Sequence, residues 1–413
     1  YVIDARLIPA EKRVEGVVRM TYTNNSPREL DLLWLNLPQN AFRAGSRSAA
    51  VRDTNNRFRS TPNPDWGFVL GEVTQDGTPV RVVEDDTRAR VDLASPAEAR
   101  GGVVRLEIPF SFIVPHPGSH RIGIKESELG EVFCSAHWFP HPAKYDDVRG
   151  WNTLPYLGAG EFYTDFGDYT VSITVPATFT VAGSGLLQNP NEVMDGAAVA
   201  RLERAALRDE PVVIREPGDW QQGVSGERTW TFRAERVRTF AFATSAAYIW
   251  DAAGVEVDGA RVLVQSFYPP EDRQVWGKIS TEASRHAIEF YSRFFGLAYP
   301  YPSLANCWGS EGGMEYPMIM FCSGGRSEDS LFGVTDHEVL HQWVPMVVNT
   351  DERRHGWMDE GFDNFGNIYS RLAWNEKRRA LGERKRDRPP GASVRSYMRR
   401  YADRVVLVFD GDE

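Results

Sequence analysis

One short stretch decides the fold of this 413-residue chain: the sequence HEVLH, residues 337–341. Residues four positions apart on an α-helix share one face and lie about 6 Å apart along its axis, so His337 and His341 can bind one metal ion. Glu338 lies beside that line, where its carboxylate can take a proton from a water molecule at the metal. The spacing predicts a helix over 336–344, ended or kinked by Pro345, and a zinc ion held by both histidines.

The remaining histidines serve as internal controls. With 8 histidines in 413 residues, a chance HExxH is expected in roughly one of a hundred such chains. His116 and His120 are also four residues apart, but Pro-Gly lies between them. The pair His137 and His141 is broken by Pro140, and neither pair has a glutamate in its second position. We interpret these four residues as histidines of turns or loops.

A third ligand is needed, because catalytic zinc usually has three protein ligands and one open position. Glu360 follows His341 after eighteen intervening residues, behind an aromatic loop and at the start of a helix predicted to begin near Asp359. We predict one zinc ion per chain, bound by His337, His341 and Glu360. Asn364, one turn beyond Glu360, is predicted to hydrogen-bond a zinc histidine.

The zinc motif, the eighteen-residue gap and the sequence EGF at 360–362 resemble those of aminopeptidase N-like zinc metallopeptidases, gluzincins related to leukotriene hydrolase. A second motif of that family, Gly-x-Met-Glu-Asn, is similar to GGMEY at 312–316. Family-like phrases also occur at 34–37, 138–140, 160–163 and 299–302. The resemblance covers nearly the whole chain and implies a zinc peptidase with Glu338 as general base.

The resemblance assigns substrate binding to the second motif. It implies that Glu315 binds the free α-amine of a peptide, with Gly312, Gly313 and Met314 beside it. A carboxylate in a partly dry cleft pairs well with an ammonium group, and glycine lets the backbone approach a ligand closely. The alternative is that Glu315 is a surface carboxylate before a strand at 318–322.

Hydrophobic periodicity divides the chain into two parts. Alternating apolar and polar residues predict strands at 17–23, 30–37, 104–112, 169–175, 229–232 and 261–267. Apolar residues at helical spacing from Ile279 to Phe294 then predict a helix capped by Gly296. With the resemblance, this predicts a multidomain α+β protein. An N-terminal antiparallel β-saddle or sandwich over 1–243 would precede a thermolysin-like α/β zinc catalytic domain over 244–413, incomplete at its C-terminus.

Several residues depart from the family pattern. Tyr316 replaces the usual asparagine, and Pro345 and Met346 replace a Gly-Asn that commonly follows the zinc helix. The family's oxyanion-stabilising tyrosine normally lies beyond the length of this chain, and Tyr397 and Tyr401 are the late candidates. Three hypotheses follow: a zinc aminopeptidase acting on peptides with a free N-terminus, a zinc endopeptidase or other small-substrate hydrolase, and a non-catalytic peptide-binding scaffold.

Composition restricts the partners and the location. A net charge of −10 argues against nucleic acid, and the lack of any apolar run of about 18 residues predicts no transmembrane segment. The three cysteines exclude a disulfide scaffold. Because the chain opens at Tyr1 inside a predicted strand and without an initiator Met, a leader can have been removed, and we favour a periplasmic or secreted location over a cytoplasmic one. The oligomeric state is not predicted.

Overall fold

The computed structural model describes residues 1–51, 63–116, 121–158, 162–219 and 224–383. Its strands, β1 to β25 in chain order, are Val2–Ile8, Arg13–Asn24, Leu30–Asn36, Val69–Leu70, Thr74–Gln75, Thr78–Pro79, Arg81–Asp85, Arg88–Ala97, Gly102–Ile113, Ile122–Ser127, Gly130–Ser135, His141–Pro142, Tyr145–Asp146, Gly150–Trp151, Gly167–Pro176, Thr180–Gly183, Leu186–Leu187, Val212–Arg215, Glu227–Val237, Phe242–Ser245, Ile249–Val257, Ala260–Tyr268, Ser303–Trp308, Gly313–Tyr316 and Ile319–Cys322. Its helices, α1 to α6, are Arg47–Val51, Pro190–Val193, Gly196–Ala206, Arg273–Phe295, Glu328–Leu340 and Glu360–Ala380. The predicted α+β class is confirmed. Over these ranges, no helix combines the length and the apolar character that a membrane crossing requires.

The largest sheet has nine strands, in the order β17-β19-β15-β1-β2-β9-β5-β6, with β4 paired to β9. In β9, Leu106, Ile108 and Phe110 are buried while Arg105 and Glu107 are exposed, which is the alternation expected of a strand with one face on the core. The predicted strands are all present, as β2, β3, β9, β15, β19 and β22. The sheet is antiparallel as predicted except that β1 and β15 pair in parallel. A parallel pair needs a long crossover, and thirteen strands separate these two along the chain.

A mixed six-stranded sheet carries the later part of the chain, in the order β18-β21-β22-β23-β25-β24. Helix α4 packs on β21 and β22, and α5 packs against β24, β25, α4 and α6. Since β24 is the edge strand beside α5, the GGMEY segment and the HEVLH helix are neighbours. Strand β18 lies before residue 243, the predicted end of the first domain, and yet it pairs with β21 in this sheet. The position of the domain boundary stays a prediction.

Helices α4 and α6 follow their sequence signals. In α4, Ile279, Ala283 and Ala287 are buried, and Gly296 ends the helix in the left-handed region at φ 61°, a conformation that favours glycine. Helix α6 begins at Glu360, next to the position predicted for its start. The spacing of apolar residues was therefore sufficient to locate α4, whereas for α6 the sequence predicted only the start.

Helix α5 differs from the predicted range 336–344 at both ends. Ser327 caps its start by accepting a backbone hydrogen bond of 3.3 Å from the first turn, which carries two acidic residues that favour a helix N-terminus. The helix ends at Leu340, and turns lead on to Pro345, which has no N–H to donate. His341 is consequently the capping residue of α5, not an interior one.

Candidate active site

The two histidines of the HEVLH motif meet at the C-terminal end of α5. His337 lies in the last turn and His341 caps it, with ring centroids 4.8 Å apart and ring planes at 83°. His341 is buried, whereas 25 % of the His337 side chain is exposed. One imidazole therefore lines the interior of the site and the other faces its opening.

The Nδ1 atom of each ring is already held by the protein. His337 Nδ1 contacts the carboxylate of Asp363. His341 Nδ1 lies 2.9 Å from the carbonyl oxygen of Val344 and 3.0 Å from Oδ1 of Asp359. An imidazole that binds a metal through one nitrogen commonly donates a hydrogen bond from the other. The Nε2 atoms are thus the ones that remain for a metal ion.

Glu360 completes the predicted ligand set. As the first residue of α6 it is half exposed, and its Oε2 lies 3.5 Å from Nε2 of His337. Potential ligand atoms of His337, His341, Glu360 and Asp363 all lie within 4.8 Å of one another. The three residues predicted as ligands are therefore brought together, with one aspartate that the sequence analysis did not predict.

Glu338 is enclosed on the inner side of this cluster. It is buried, and its Oε2 has no hydrogen-bond partner within the described ranges. Burial raises the pKa of the Glu338 carboxyl to about 7, although the neighbouring histidines act in the opposite direction. A Cβ added at Gly313 would lie 2.2 Å from Glu338 Oε1, so only glycine leaves the carboxylate its space.

Glu315 lies inside the protein, in the edge strand β24, and is 6 % exposed. The alternative of a surface carboxylate is therefore wrong, and the side chain lies near His341. Potential ligand atoms of Glu315, His341 and Asp359 lie within 4.8 Å of one another. The two motifs GGMEY and HEVLH consequently form one site.

A cavity beside Glu315 is lined by residues far apart in the sequence. The ring of His137 stacks on Phe162 with centroids 3.6 Å apart and meets Tyr316 edge-on. Arg238 and Glu352 also line it and form a buried ion pair with a nitrogen–oxygen distance of 2.5 Å. The lining comes from segments that are far apart in the sequence, and His137 is a cavity residue as well as a loop histidine.

The predicted role of Asn364 is wrong. Its amide donates to the carbonyl oxygen of Glu360 at 2.6 Å, and its side chain is half-buried. The asparagine that contacts a histidine predicted to bind zinc is Asn367, whose Oδ1 lies 3.1 Å from Nδ1 of His337. Asp363 and Asn367 follow Glu360 by three and seven residues, so helical spacing from Glu360 was the signal that could have identified them.

The other predicted residues differ in burial, and some lie outside the described residues. Met314 and Tyr316 are buried, whereas a Cβ added at Gly312 would meet nothing within 4 Å. Tyr397 and Tyr401, the candidates for an oxyanion-stabilising tyrosine, lie outside the described residues. So does the first part of the family-like phrase at 160–163.

Sequence comparison finds relatives over part of the chain, although no family model matches. Aminopeptidase N of Acetobacter pasteurianus is 25 % identical over 175 residues, which cover 39 % of this chain and 47 % of that protein. Endoplasmic reticulum aminopeptidase 2 of Bos taurus is 24 % identical over 149 residues, 33 % of this chain and 15 % of that protein. The chain thus spans less than half the length of either relative.

The fold is similar to solved structures over nearly the whole chain. The crystal structure of an M1 zinc metallopeptidase from Deinococcus radiodurans matches with a TM-score of 0.56 and 18 % identity, covering 93 % of this chain and 71 % of that one. A two-domain M1 zinc metallopeptidase mutant bound to L-arginine matches with a TM-score of 0.60 and 17 % identity, covering 97 % and 73 %. These matches in fold, together with the aminopeptidases matched in sequence, confirm that the chain resembles the aminopeptidase N-like M1 zinc metallopeptidases.

Proposed function

We propose that the protein is a zinc-dependent aminopeptidase that removes N-terminal residues from peptides. The observation that carries this proposal is the position of Glu315, whose carboxylate lies within 4.8 Å of potential ligand atoms of His341 and Asp359. The α-amine and the first carbonyl carbon of a peptide are separated by one carbon atom. An amine bound at Glu315 therefore leaves only the first peptide bond within reach of the histidines.

The side chains at the site fit one zinc ion. Two imidazoles with Nδ1 held by the protein and one carboxylate are the donor set of a catalytic zinc site with an open fourth position. His337, His341 and Glu360 would hold the ion. When bound, zinc supplies a Lewis acid that polarises a carbonyl group and makes water more acidic.

Glu338 is assigned the role of general base. Its Oε2, which has no hydrogen-bond partner among the described residues, can accept a proton from the attacking water, and the same carboxyl group can deliver that proton to the leaving amine. Burial raises the pKa of this carboxyl group, which makes it a better proton acceptor than an exposed glutamate.

Glu315 is assigned the role of amine anchor. A charge-assisted hydrogen bond contributes about 1.5–3 kcal/mol, and a blocked N-terminus would forfeit it inside a buried site. Gly312 precedes the edge strand, and Gly313 and Met314 begin it, so the backbone before Glu315 would run along the substrate. Tyr316 follows and replaces an amide with a phenol beside His137.

The remaining assignments belong to the same proposal. We assign the region 1–243, with the nine-stranded sheet, to a β-saddle domain and 244–413 to a thermolysin-like catalytic domain. Peptides with a free N-terminus are the proposed partners. A periplasmic or secreted location is our preference, on the sequence argument given above.

The test compares free and N-acetylated amino-acid anilides as substrates of the wild type and of Glu315→Ala. Acetylation is expected to lower kcat/KM of the wild type roughly ten- to hundredfold, and to add little to the loss already caused by Glu315→Ala. The four values form a double-mutant cycle across enzyme and substrate, so general damage to the cleft cancels. Equal cleavage of both substrates by the wild type would favour an endopeptidase, and zinc binding without any turnover would favour a scaffold.

A further inference from the structure

Asp363 is a fully buried carboxylate with an unusual environment. It lies on α6 one turn after Glu360, and none of its side chain is exposed. Among the described residues, its one ion-pair contact is with Nδ1 of His337. Burying a carboxylate away from Lys and Arg is costly, so its position calls for a partner that gains from it.

Asp363 and Glu360 meet different nitrogens of His337, although ligand atoms of both lie within 4.8 Å of those of the two histidines. Asp363 contacts Nδ1 of His337, whereas Glu360 lies 3.5 Å from Nε2 of that ring. The two nitrogens are joined through one ring carbon and their lone pairs diverge, so a metal ion bound at Nε2 and Glu360 meets a different side of the ring from Asp363. Asp363 consequently acts on the metal through His337.

A carboxylate at Nδ1 determines both the tautomer and the ring orientation of His337. A neutral imidazole carries one N–H, and a hydrogen bond to Asp363 keeps it on Nδ1, which leaves the Nε2 lone pair for a metal. Asn367 supports this arrangement: its Oδ1 lies 3.1 Å from the same nitrogen, and its amide donates to the hydroxyl of Tyr291 at 3.0 Å.

His341 differs from His337 in this respect. Its Nδ1 lies 2.9 Å from the backbone carbonyl oxygen of Val344, which no substitution of a side chain removes. At Nδ1 of His337 the contacts made by described residues come from the side chains of Asp363 and Asn367. Its orientation therefore depends on residues that can be changed one at a time.

We propose that Asp363 is a positioning residue that orients His337 for zinc. The inference rests on the proposed zinc site and deepens it. Hydrogen-bond partners of metal-binding histidines contribute about ten- to hundredfold to metal affinity. Asp363→Asn, which keeps the volume and removes the charge, should weaken zinc binding by that factor.

The experiment measures the zinc dissociation constant by chelator competition and the visible spectrum of the cobalt(II)-substituted protein. Asp363→Asn should show weaker zinc binding and an altered cobalt spectrum, because the His337 ring is free to turn. Asn364→Ala is the matched control, since this neighbouring side chain is half-buried and its amide donates to the backbone carbonyl oxygen of Glu360. Its affinity and spectrum should equal those of the wild type.

A second variant tests whether the carboxylate itself, and not the fold around it, is responsible for the zinc affinity. In Asp363→Asn/Asn367→Asp, a carboxylate returns to the other residue that touches Nδ1 of His337, and several-fold recovery of zinc affinity is expected. No recovery, or unchanged affinity in Asp363→Asn, would overturn the proposal. The proposal would also be overturned if Asp363→Asn lowered the melting temperature of the metal-free protein as much as that of the zinc-loaded protein, because the substitution would then act on the fold and not on the metal site. A wild type that binds no zinc would instead refute the proposed function.

Discussion

The carboxylate at position 338 is expected to govern rate and not metal content. Glu338→Gln keeps the shape of the side chain but cannot accept a proton, so activity should fall by orders of magnitude while zinc stoichiometry stays at one. Elemental analysis and kcat measured on the same preparation check both halves. Glu360→Ala is the contrasting variant, because loss of one of three ligands should release the metal. A Glu338→Gln enzyme with near wild-type turnover would remove Glu338 from the mechanism.

Gly313 has no side chain, and the space that Glu338 occupies depends on this. A methyl group there would lie 2.2 Å from Glu338 Oε1 and 2.6 Å from Val334, so β24 or the carboxylate must move. A displacement of this size is expected to lower kcat about ten- to hundredfold with zinc retained. Gly356→Ala is the control, since its added Cβ meets nothing within 4 Å. Equal activity of the two variants would contradict the prediction.

Among the elements, β21 carries a buried acid that makes stability depend on pH. Asp251 accepts hydrogen bonds from Tyr268 at 2.6 Å and Thr281 at 2.5 Å, and burial raises its pKa from 3.8 to about 6. Between those values the folded protein holds a proton that the unfolded chain releases. The free energy of unfolding should therefore fall as pH rises through this window, by at most about 1.4 kcal/mol per pH unit from this group.

Urea unfolding across the window and above it tests this dependence. Asp251→Asn should lose the pH-dependent contribution, so that the stability difference between variant and wild type changes up to about pH 6 and is constant beyond it. Parallel stability curves for the two proteins would show that Asp251 does not titrate in this range.

The elements differ in how far the sequence could predict them. Helix α4 was located because its apolar spacing and its glycine cap are local signals, whereas only the start of α6 was predicted. The bounds of α5 were missed although Ser327 is a recognisable cap, because the prediction was centred on the zinc motif. The parallel pairing of β1 with β15 depends on contacts between distant segments, which no local pattern reports.

The candidate site divides in the same way. His337, His341, Glu360 and Glu315 belong to short motifs and could be named from the sequence. Asp363 lay within helical reach of Glu360, but nothing in the sequence indicates which histidine it contacts. The cavity beside Glu315 is assembled by the tertiary fold, so its lining could not be predicted.

For the whole molecule, the ion pair of Arg238 and Glu352 joins the segment after β19 to the segment before α6. Both side chains are almost fully buried, at 4 % and 3 % exposure, and Arg238 also donates to the carbonyl oxygen of Pro345 at 3.1 Å. Arg238→Met leaves Glu352 buried without the guanidinium and should lower the free energy of unfolding by about 3–5 kcal/mol.

Denaturant titration of three variants tests how much this ion pair contributes to the free energy of unfolding. Replacing both members, as Arg238→Met/Glu352→Leu, should recover much of the loss because no charge is left buried. Arg81→Met breaks an exposed pair with Asp92, whose atoms are 3.9 Å apart, and should cost less than about 1 kcal/mol. If Arg238→Met were as mild as Arg81→Met, the buried pair would not hold the two segments together.

The same ion pair has a consequence for the entropy of the chain around the zinc ligands. His341 and Glu360 are joined by eighteen residues, and an ion bound to both closes that segment into a loop. Loop closure costs conformational entropy that grows with the logarithm of loop length. Glu352 lies within this segment and is tied to Arg238, so the loop is already divided into two shorter ones before any ion arrives. The metal-free protein should accordingly keep its ligands near their bound positions, and the ion should enter and leave without the unfolding of α6.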